Sequence, residues 1–313
     1  MNGSNRFEHR DQPCSVCGSV FRQHLGWRGG TAHHDGQGER IAIVRCVECT
    51  HLYPHPMPFP RGDLAGLYTN TEEYFSEHDV EEKKRLGGEL LQQIEQKIGC
   101  RGHLLDLGCG RGELLWAARE AGWSTEGVDP SPAHLEWARF NLGIEGRLGT
   151  IEEAGFPSER FDAITMSGVI EHLYDPYVTL QEVWRVLKPG GVFYFDAPNE
   201  DALYTRIGNI YQRVQGRDWV VNLAPTFAPY HVQGFNRKSV QRLLDRVGFE
   251  VDSLTIFGHI SPMTGKTSLR KRIEHRAGQL VNWLGNRSGT GIYMYVWAKK
   301  PASTRLSSDF TAE

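Results

Sequence analysis

A glycine-rich stretch followed by an acid constrains the fold more than any other part of this sequence. It reads HLLDLGCGRGELL at 103–115 and GVDPS at 127–131. The first run predicts a buried strand, a tight turn and a helix start, and the second predicts the end of another strand. Glycines let the turn pass close to a ligand, and they are Gly108, Gly110 and Gly112. Asp129 is placed to accept both hydroxyls of a ribose, so the spacing predicts a nucleoside cofactor.

The loop distinguishes two kinds of nucleoside cofactor. A dinucleotide site favours the spacing G-x-G-x-x-G, which lets a pyrophosphate lie on the helix N-terminus. This loop reads GCGRG instead, and an acid, Glu113, opens the helix and repels a diphosphate. The segment resembles motif I of the class I methyltransferases that use S-adenosylmethionine (SAM). That resemblance implies that Asp106 faces the amino-acid end of the cofactor.

Two later segments extend the resemblance. FDAITMSGVIEHL at 161–173 is typical of a fourth strand that runs into an active-site loop. EVWRVLKPGG at 182–191 predicts a helix closed by a Pro-Gly-Gly turn before a strand at 192–196. The order and separation of these motifs resemble those of class I methyltransferases. The resemblance implies that SAM is bound by Asp106, Gly108, Gly110, Asp129, Glu152 near the adenine, and Ser167.

Seven predicted strands define the fold class. Helices are predicted after each of the first five strands, which indicates an α/β fold with a doubly wound, mostly parallel sheet. The resemblance implies the Rossmann-like methyltransferase fold, in which the seventh strand inserts antiparallel. The predicted strands are 103–107, 124–129, 146–150, 161–166, 192–196, 249–257 and 291–298.

Four cysteines near the N-terminus predict a metal site. They form two C-x-x-C pairs separated by 28 residues, and they are Cys14, Cys17, Cys46 and Cys49. Four thiolates close a tetrahedral structural zinc site, and a glycine-rich ribbon with little core of its own needs such a metal. Disulfides are the alternative, which a cytosolic chain disfavours. Each pair is followed by a turn-forming residue, Gly18 or Thr50, and His51 and His55 could substitute as ligands although the four cysteines already fill the coordination shell.

Composition shifts along the chain predict its organisation. We expect a zinc-ribbon-like module with a proline-rich connector at 1–58, and a helical lid at 59–100. A methyltransferase domain follows at 101–300, with an acceptor cap around 200–235, and a disordered tail at 301–313. The four prolines between His51 and Pro60 predict an extended connector without regular structure.

Charge and hydropathy exclude some classes of function. The net charge of the 313 residues is −3, which argues against a general nucleic-acid binder. No apolar run is long enough to span a bilayer or to act as a signal peptide, so we expect a cytoplasmic protein. Residues 200–290 carry 13 Lys and Arg against 7 Asp and Glu, a local excess suited to an anion. The oligomeric state is left open.

One helix in this basic region allows two interpretations. The span Leu269–Leu284 places apolar side chains on one face and basic side chains around the others. Packing against the core or against a second copy is one interpretation. The other is peripheral contact with a membrane surface or with a lipid-linked or diphosphate-linked acceptor. The apolar side chains are Leu269, Ile273, Ala277, Leu280, Val281 and Leu284.

Features across most of the chain narrow the resemblance. The zinc-ribbon-like start, a Tyr-Pro-x-Pro connector, a tyrosine-bearing lid and a final helix at 239–249 resemble bacterial methyltransferases of polysaccharide and secondary-metabolite gene clusters. These include sugar C-methyltransferases, whose two active-site histidines correspond to His172 and His231. The residue before the second histidine is commonly Glu there and is Tyr230 here, which favours a hydroxyl acceptor over carbon. The expected acceptor is a sugar, a nucleotide-linked sugar or a polyketide-like molecule.

The reaction itself restricts which residues act. Methyl transfer from a sulfonium is an in-line displacement, and a hydroxyl acceptor must also lose a proton. A neutral histidine suits that step, because its ordinary pKa is about 6.5. We expect His231 to be the base, with His172 as the second candidate. Tyr74 in the lid is a further candidate for a hydrogen bond to the acceptor, and aromatic packing is the favoured alternative for this residue.

Three other functions remain open at this point. Quinone-type O-methyltransferases have similar core motifs but lack the zinc module. Small-RNA 2′-O-methyltransferases also use a Glu-His pair and a later histidine, and they bind a divalent ion with one further glutamate. The position of that glutamate is Gly168 here, so one ligand is missing. A SAM-fold scaffold with a zinc docking module is the non-enzymatic alternative. The intact ribose-binding acid Asp129 disfavours the scaffold.

Overall fold

The computed structural model describes residues 6–30, 36–62, 79–259 and 269–302. The named elements before residue 62 are strands, and the remainder of the described chain alternates helices with strands. The elements are β1 Phe7–Arg10, β2 Arg22–Arg28, β3 Ile41–Cys46, β4 Leu52–His55, β5 Met57–Pro60, α1 Val80–Ile98, β6 His103–Leu107, α2 Glu113–Glu120, β7 Ser124–Asp129, α3 Pro132–Leu142, β8 Arg147–Leu148, α4 Ile151–Ala154, β9 Phe161–Met166, α5 Pro176–Val186, β10 Leu187–Pro198, α6 Leu203–Val214, α7 Arg237–Val247, β11 Glu250–Phe257, α8 Leu269–Arg287 and β12 Tyr293–Lys299.

The central sheet has seven strands in the order β11-β12-β10-β9-β6-β7-β8. Neighbouring strands are parallel except at β12, which is antiparallel to both β10 and β11. This arrangement confirms the predicted α/β doubly wound fold class and its antiparallel seventh strand. The third strand, β8, is shorter than predicted. The pairing of β10 with β9 is interrupted between Leu187 and Val192, where the predicted Pro-Gly-Gly turn lies.

The N-terminal part folds into two small antiparallel sheets. One has the order β2-β3-β4, and the other pairs β1 with β5. The prediction that the prolines of residues 51–60 prevent regular structure is therefore wrong, because β4 and β5 lie in that segment. Proline has no N–H to donate, so strands tolerate it where no ladder bond is required. β4 is an edge strand, and β5 belongs to a sheet of two strands.

The described part of the predicted lid, helix α1, packs against the central sheet. On α1, Leu91 and Ile94 are buried and pack with Leu104 of β6 and Ala163 of β9. The helix begins at Asp79, whose side chain accepts from two backbone N–H groups, and ends at Gly99 in the left-handed region. The prediction that this helix lies over the cofactor domain as a lid is therefore wrong. The rest of that segment, including Tyr74, lies outside the described residues.

Helix α8 does not bury the apolar face that its sequence predicts. Ala277, Leu280 and Leu284 are exposed, and Val281 is half-buried. The prediction that this face packs against the core is therefore wrong for these residues. Among the described residues, no helix combines the length and the apolar character that crossing a membrane requires. The predicted tail lies outside the described residues from position 303 onward.

Candidate functional site

The glycine turn joins β6 to α2 through backbone conformations that favour glycine. The φ angles are 68° at Gly108, 53° at Gly110 and 77° at Gly112. The backbone N–H of Gly108 donates to the carbonyl oxygen of Val128 at 2.8 Å, which ties the turn to β7. A Cβ at Gly108 would lie 2.4 Å from Cγ2 of Val169. The predicted turn is therefore present, and a side chain at its first position would clash.

Asp129 organises the same turn. Its Oδ2 accepts from the backbone N–H of Gly110 at 2.8 Å, and its Oδ1 accepts from that of Ser131 at 2.8 Å. The Nδ1 of His134 lies 3.6 Å from Oδ1. A carboxylate has about four acceptor positions, so both oxygens keep capacity for further donors. The side chain predicted to accept a ribose thus also holds the glycine turn in shape.

Asp106 is a buried acid at the carboxyl end of β6. It is 6% exposed, and its Oδ1 accepts from the hydroxyl of Thr165 at 2.7 Å. Burial raises the pKa of Asp106 to about 7, and the neighbouring carboxyls of Asp129 and Glu113 act in the same direction. A cationic group placed beside Asp106 would recover much of this cost. Sequence reasoning did not find Thr165, which lies 59 residues away.

The acid that opens α2 is neutralised within the loop. Glu113 is buried, and its Oε1 lies 2.7 Å from Nη2 of the equally buried Arg111. The guanidinium of Arg111 also lies over the ring of Trp137. The sequence signal for this pair was local, since an arginine and a glutamate flank Gly112. A buried pair of this kind costs desolvation and holds the loop in one geometry.

The other two predicted cofactor residues have partners of their own. Glu152 lies on α4, and its Oε1 accepts from the hydroxyl of Thr179 on α5 at 2.6 Å. Ser167 follows β9, is exposed, and interacts with the carboxyl of Asp196 on β10. Both residues lie after parallel strands of the sheet. Their contacts with the cofactor remain predictions.

The two predicted catalytic histidines meet beside a glutamate. A short 3-10 turn, Ile170–His172, follows β9 and carries Glu171. The ring centroids of His172 and His231 are 4.8 Å apart, and Nε2 of His231 lies 3.9 Å from Oε1 of Glu171. The backbone carbonyl of Glu171 accepts from the N–H of Val232 at 2.9 Å, which fixes the loop that carries His231. These residues form what we call the Glu-His-His cluster.

Burial inverts the usual protonation order within the Glu-His-His cluster. It lowers the pKa of His172 to about 4, and it lowers the pKa of His231, beside His172, to about 3. It raises the pKa of Glu171 to about 8, with Asp196 and Glu200 contributing. Both imidazoles are therefore neutral near pH 7, and Glu171 holds a proton. Within the described part of the chain, Oε2 of Glu171 is buried without a hydrogen-bond partner.

The four predicted metal ligands converge. Sγ of Cys14 lies 3.5 Å from Sγ of Cys49, and Sγ of Cys17 lies 3.5 Å from Sγ of Cys46. All four sulfurs lie within 4.8 Å of one another. A tetrahedral zinc with bonds of about 2.3 Å separates its sulfur ligands by about 3.8 Å, whereas a disulfide needs about 2.05 Å. The cluster therefore fits zinc and contains no disulfide.

Each C-x-x-C pair ends in the same backbone conformation. Gly18 and Thr50 follow the two pairs, with φ angles of 78° and 64°. Their N–H groups donate back to the carbonyls of Cys14 and Cys46 at 2.7 and 3.1 Å. The turns predicted after the two cysteine pairs are therefore present.

The cysteine module is bonded to the loop that carries His231. Oε1 of Gln233 accepts from the hydroxyl of Ser15 at 3.0 Å and lies 2.7 Å from Nε2 of His51. The backbones of Leu52 and Gly234 exchange two hydrogen bonds, of 2.9 and 2.7 Å. His51 is thus engaged with Gln233. The other candidate ligand, His55, has its Nε2 3.3 Å from Oδ1 of Asp11.

Comparison with known proteins identifies the family. A family profile described as methyltransferase domain matches residues 77–254. The chain belongs to the methyltransferase domain family. This match covers more than half of the chain and includes the glycine turn, Asp129 and the Glu-His pair. It confirms the predicted class of enzyme, a SAM-dependent methyltransferase.

Several relatives resemble this methyltransferase. It is 28% identical over 192 residues to the ubiquinone biosynthesis O-methyltransferase of Coxiella burnetii, covering 58% of this chain and 78% of the relative. It is 30% identical over 161 residues to a probable S-adenosylmethionine-dependent methyltransferase of Mycolicibacterium smegmatis, covering 50% of this chain and 56% of the relative. A solved SAM-dependent methyltransferase of Archaeoglobus fulgidus is 21% identical, covers 70% of this chain and 94% of that one, and has a TM-score of 0.48.

Substitution of Gly234 by Ala should destabilise the junction between the cysteine module and the loop. A Cβ there would lie 2.8 Å from Cβ of Leu52 and 2.9 Å from Cγ of Glu200. We expect a loss of about 1–3 kcal/mol in the free energy of unfolding, as for other overpacked sites. Urea denaturation measures it.

Gly88→Ala is the matched control for this substitution. A Cβ at Gly88, inside α1, would meet no atom within 4 Å. Helix propensity should raise stability there by about 0.5–1 kcal/mol. Equal stability of the Gly234→Ala variant and the wild type would contradict the close packing of this junction.

Proposed function

We propose that this methyltransferase transfers the SAM methyl group to a hydroxyl of a small molecule, with His231 as the proton acceptor. The observation that carries the proposal is that Glu171 and His172, which follow β9, meet His231 at the sheet edge where the glycine turn lies. Ligands of doubly wound sheets bind at the carboxyl ends of the strands. A base and a cofactor loop at this edge suit a transfer between two bound molecules.

The glycine turn provides the features that a SAM site needs. We propose that Asp129 accepts the ribose hydroxyls and that Asp106 faces the ammonium of the amino-acid end. The raised pKa of the buried Asp106 supports this role, because a nearby cation would stabilise its charged form. We also assign cofactor contacts to Glu152, near the adenine, and to Ser167. The open backbone at Gly108 and Gly110 allows close approach of the cofactor.

The acceptor hydroxyl belongs to a sugar, a nucleotide-linked sugar or another secondary metabolite in this proposal. The zinc-ribbon-like module and the pair of histidines support it through their resemblance to enzymes of such pathways. The relatives named for ubiquinone biosynthesis support a second candidate, a phenolic hydroxyl on a quinone precursor. Both acceptors undergo the same reaction. A phenol ionises more readily than an alcohol, so it depends less on a base.

The cluster supplies a route for the proton. The acceptor oxygen forms a bond to the methyl carbon as the bond from that carbon to sulfur breaks, which leaves S-adenosylhomocysteine. The hydroxyl proton passes to the neutral imidazole of His231, and ionised Glu171, 3.9 Å away, stabilises the resulting imidazolium. A proton on Glu171 removes this stabilisation. We therefore assign Glu171 as a positioning residue.

Turnover should follow the ionisation of Glu171. Its pKa of about 8 means that the active carboxylate is lost as pH falls below that value. We expect the single-turnover rate to fall by about tenfold per pH unit below pH 8 and to level off above it. Glu171→Gln should lose this dependence.

His231→Ala should lower turnover by about 10²- to 10⁴-fold with SAM affinity nearly intact.

Two outcomes would contradict this assignment. A flat pH profile in the wild type would exclude Glu171. Turnover within about threefold of wild type in both His231→Ala and His172→Ala would exclude a histidine base. Tyr230, whose own backbone is left-handed with φ 64°, would then be tested by substitution with Phe.

The Glu-His-His cluster also supports a second candidate, metal-assisted methyl transfer. One ligand atom from each of Glu171, His172 and His231 lies within 4.8 Å of the others. One carboxylate and two imidazoles suit a divalent cation, which would lower the pKa of a bound hydroxyl. Loss of turnover after EDTA treatment and its return with one divalent ion would favour this mechanism. Full turnover in EDTA would favour His231 as the base.

We also propose that Cys14, Cys17, Cys46 and Cys49 bind one structural zinc. The sulfur spacing supports it, and four protein ligands leave no open position for substrate. The metal would support the loop that carries His231 through the contacts of Gln233 and Gly234. In this proposal the zinc does not touch the methyl group, and it affects catalysis only by holding this loop in place.

Removal of two ligands tests the zinc site. Cys46→Ser/Cys49→Ser should lose about one zinc per chain, measured by mass spectrometry of the metal, and should lower the melting temperature. Cys100→Ser is the matched control, since Cys100 is an exposed free thiol outside the cluster. Zinc that is absent from the wild type, or equally present in the double variant, would exclude the site.

A ligand series tests the ribose contact of Asp129. Loss of a charge-assisted hydrogen bond of about 1.5–3 kcal/mol weakens binding by about ten- to hundredfold. We expect the wild type to bind S-adenosylhomocysteine more tightly than its 2′-deoxy analogue by this factor. Asp129→Ala should bind both weakly and nearly equally, as measured by calorimetry. The comparison separates the ribose contact from the support of the glycine turn, since both ligands need the turn.

The proposal for Asp129 fails if the wild type does not discriminate between the two ligands. It also fails if Asp129→Ala keeps the full discrimination, because another group would then bind the hydroxyl. His134→Ala provides a neighbouring control, since its Nδ1 lies 3.6 Å from the carboxylate.

A further inference from the structure

Helices α6 and α8 present apolar side chains to solvent on adjoining surfaces. The exposed set, which we call the α6–α8 face, is Tyr204, Ile207, Tyr211 and Val214 on α6 with Leu280 and Trp283 on α8. Val214 is 80% exposed and Trp283 is 52% exposed. Single exposed apolar residues are ordinary, but six of them on two helices that contact each other favour a contact surface.

The inner side of α6 is polar, which reverses the usual pattern. Nδ2 of Asn209 donates to Oδ1 of Asn222 at 2.6 Å, and Oδ1 of Asn209 accepts from the N–H of Val221 at 2.9 Å. Gln212 is buried on the same side. A Cβ at Gly208 would lie 3.0 Å from Cγ2 of Val221, so this side is also tightly packed. The hydrogen bonds therefore fix the apolar side of α6 outward.

Helix α8 shows the same reversal. Nδ2 of Asn282 and Nδ2 of Asn286 each donate to the carbonyl oxygen of Gly258 at 2.8 Å. A Cβ at Gly285 would lie 3.6 Å from Cβ of Leu203, which brings α8 against the start of α6. Two neighbouring helices thus use amides and glycines for internal contacts. Their exposed aliphatic and aromatic side chains are not used for these internal contacts.

The charge of this surface is complementary to an anionic one. The sequences of α6 and α8 contain seven basic residues and one acidic residue. Arg206 and Arg213 are exposed beside the apolar side of α6, and Arg287 of α8 lies 5.2 Å from the ring centroid of Trp283. Apolar side chains flanked by arginine and an aromatic residue are typical of helices that lie in the interface of an anionic bilayer.

We propose that the α6–α8 face binds the surface of a bilayer that contains anionic phospholipids. The alternative occupant is a second copy of the chain. A two-fold interface pairs this surface with itself, so both sides would carry the same excess of positive charge. Negative headgroups instead pair with the arginines, and the acyl boundary receives Tyr211, Val214 and Trp283. This proposal does not depend on the identity of the methyl acceptor.

Helix α6 of the proposed membrane-binding face also precedes, along the chain, the segment that carries His231. α6 connects β10 to the segment that carries His231, and Asn209 hydrogen-bonds with that segment at Val221. A bilayer bound to the outer side of α6 would be separated from this segment by that helix.

Vesicle co-sedimentation of the full chain tests the proposal. The probes are vesicles of phosphatidylcholine alone and vesicles with about a quarter phosphatidylglycerol. We expect the partition coefficient to be about tenfold higher with the anionic vesicles at low salt, and the difference to shrink at high salt. Arg206→Gln/Arg213→Gln should lose most of the preference for anionic vesicles. Tyr211→Ser/Val214→Ser should lower binding to both kinds.

Phe140→Ser is the matched control, since Phe140 is 75% exposed on α3 but lies outside the α6–α8 face. It should bind vesicles as the wild type does. All variants should keep the wild-type circular dichroism spectrum and SAM affinity, because the substituted side chains are exposed. Equal recovery of the wild type with both kinds of vesicle would overturn the proposal. So would a wild-type dimer that Tyr211→Ser/Val214→Ser converts to monomer, measured by light scattering, without any change in vesicle binding.

Discussion

The short backbone bridge between Leu52 and Gly234 links the two halves of this protein. On one side it continues the ribbon that contains the four cysteines, and on the other it fixes the loop that carries His231. Gln233, next to the bridge, binds Ser15 and His51 of the ribbon with its side-chain oxygen. Because buried polar groups need partners, the ribbon and this loop cannot separate without leaving several of them unpaired. The position of His231 therefore depends on the fold of the cysteine module.

Buried carboxyls determine the electrostatics of the sheet edge. Burial raises the pKa of Asp106 and of Glu200 to about 7, and that of Glu171 to about 8. Burying such carboxyl groups costs free energy, and a molecule that binds beside them shifts their pKa values. A sulfonium cofactor with a positively charged amino group would offset the cost at Asp106. The acid beside the histidines, Glu171, would titrate in the range where an acceptor hydroxyl is activated.

The outer sides of α6 and α8 differ from the rest of the fold in how they are oriented. α6 and α8 use Asn209, Asn282 and Asn286 to hold their inner sides, so hydrogen bonds rather than apolar burial orient these helices. The apolar side chains directed outward are instead available to a surface that excludes water.

Short-range patterns were sufficient to predict much of this molecule. The glycine turn, Asp129 and the paired cysteines follow from chain geometry over a few residues, and the order of strands and helices follows from periodicity. Proline spacing was misleading at β4 and β5, because the pairing partners of a strand lie elsewhere in the chain. The pairing of Glu171 with His231, and the exposure of Leu280 on α8, required the tertiary structure. Distances across the sheet edge and the choice of which helix side is buried arise from packing, which no local pattern encodes.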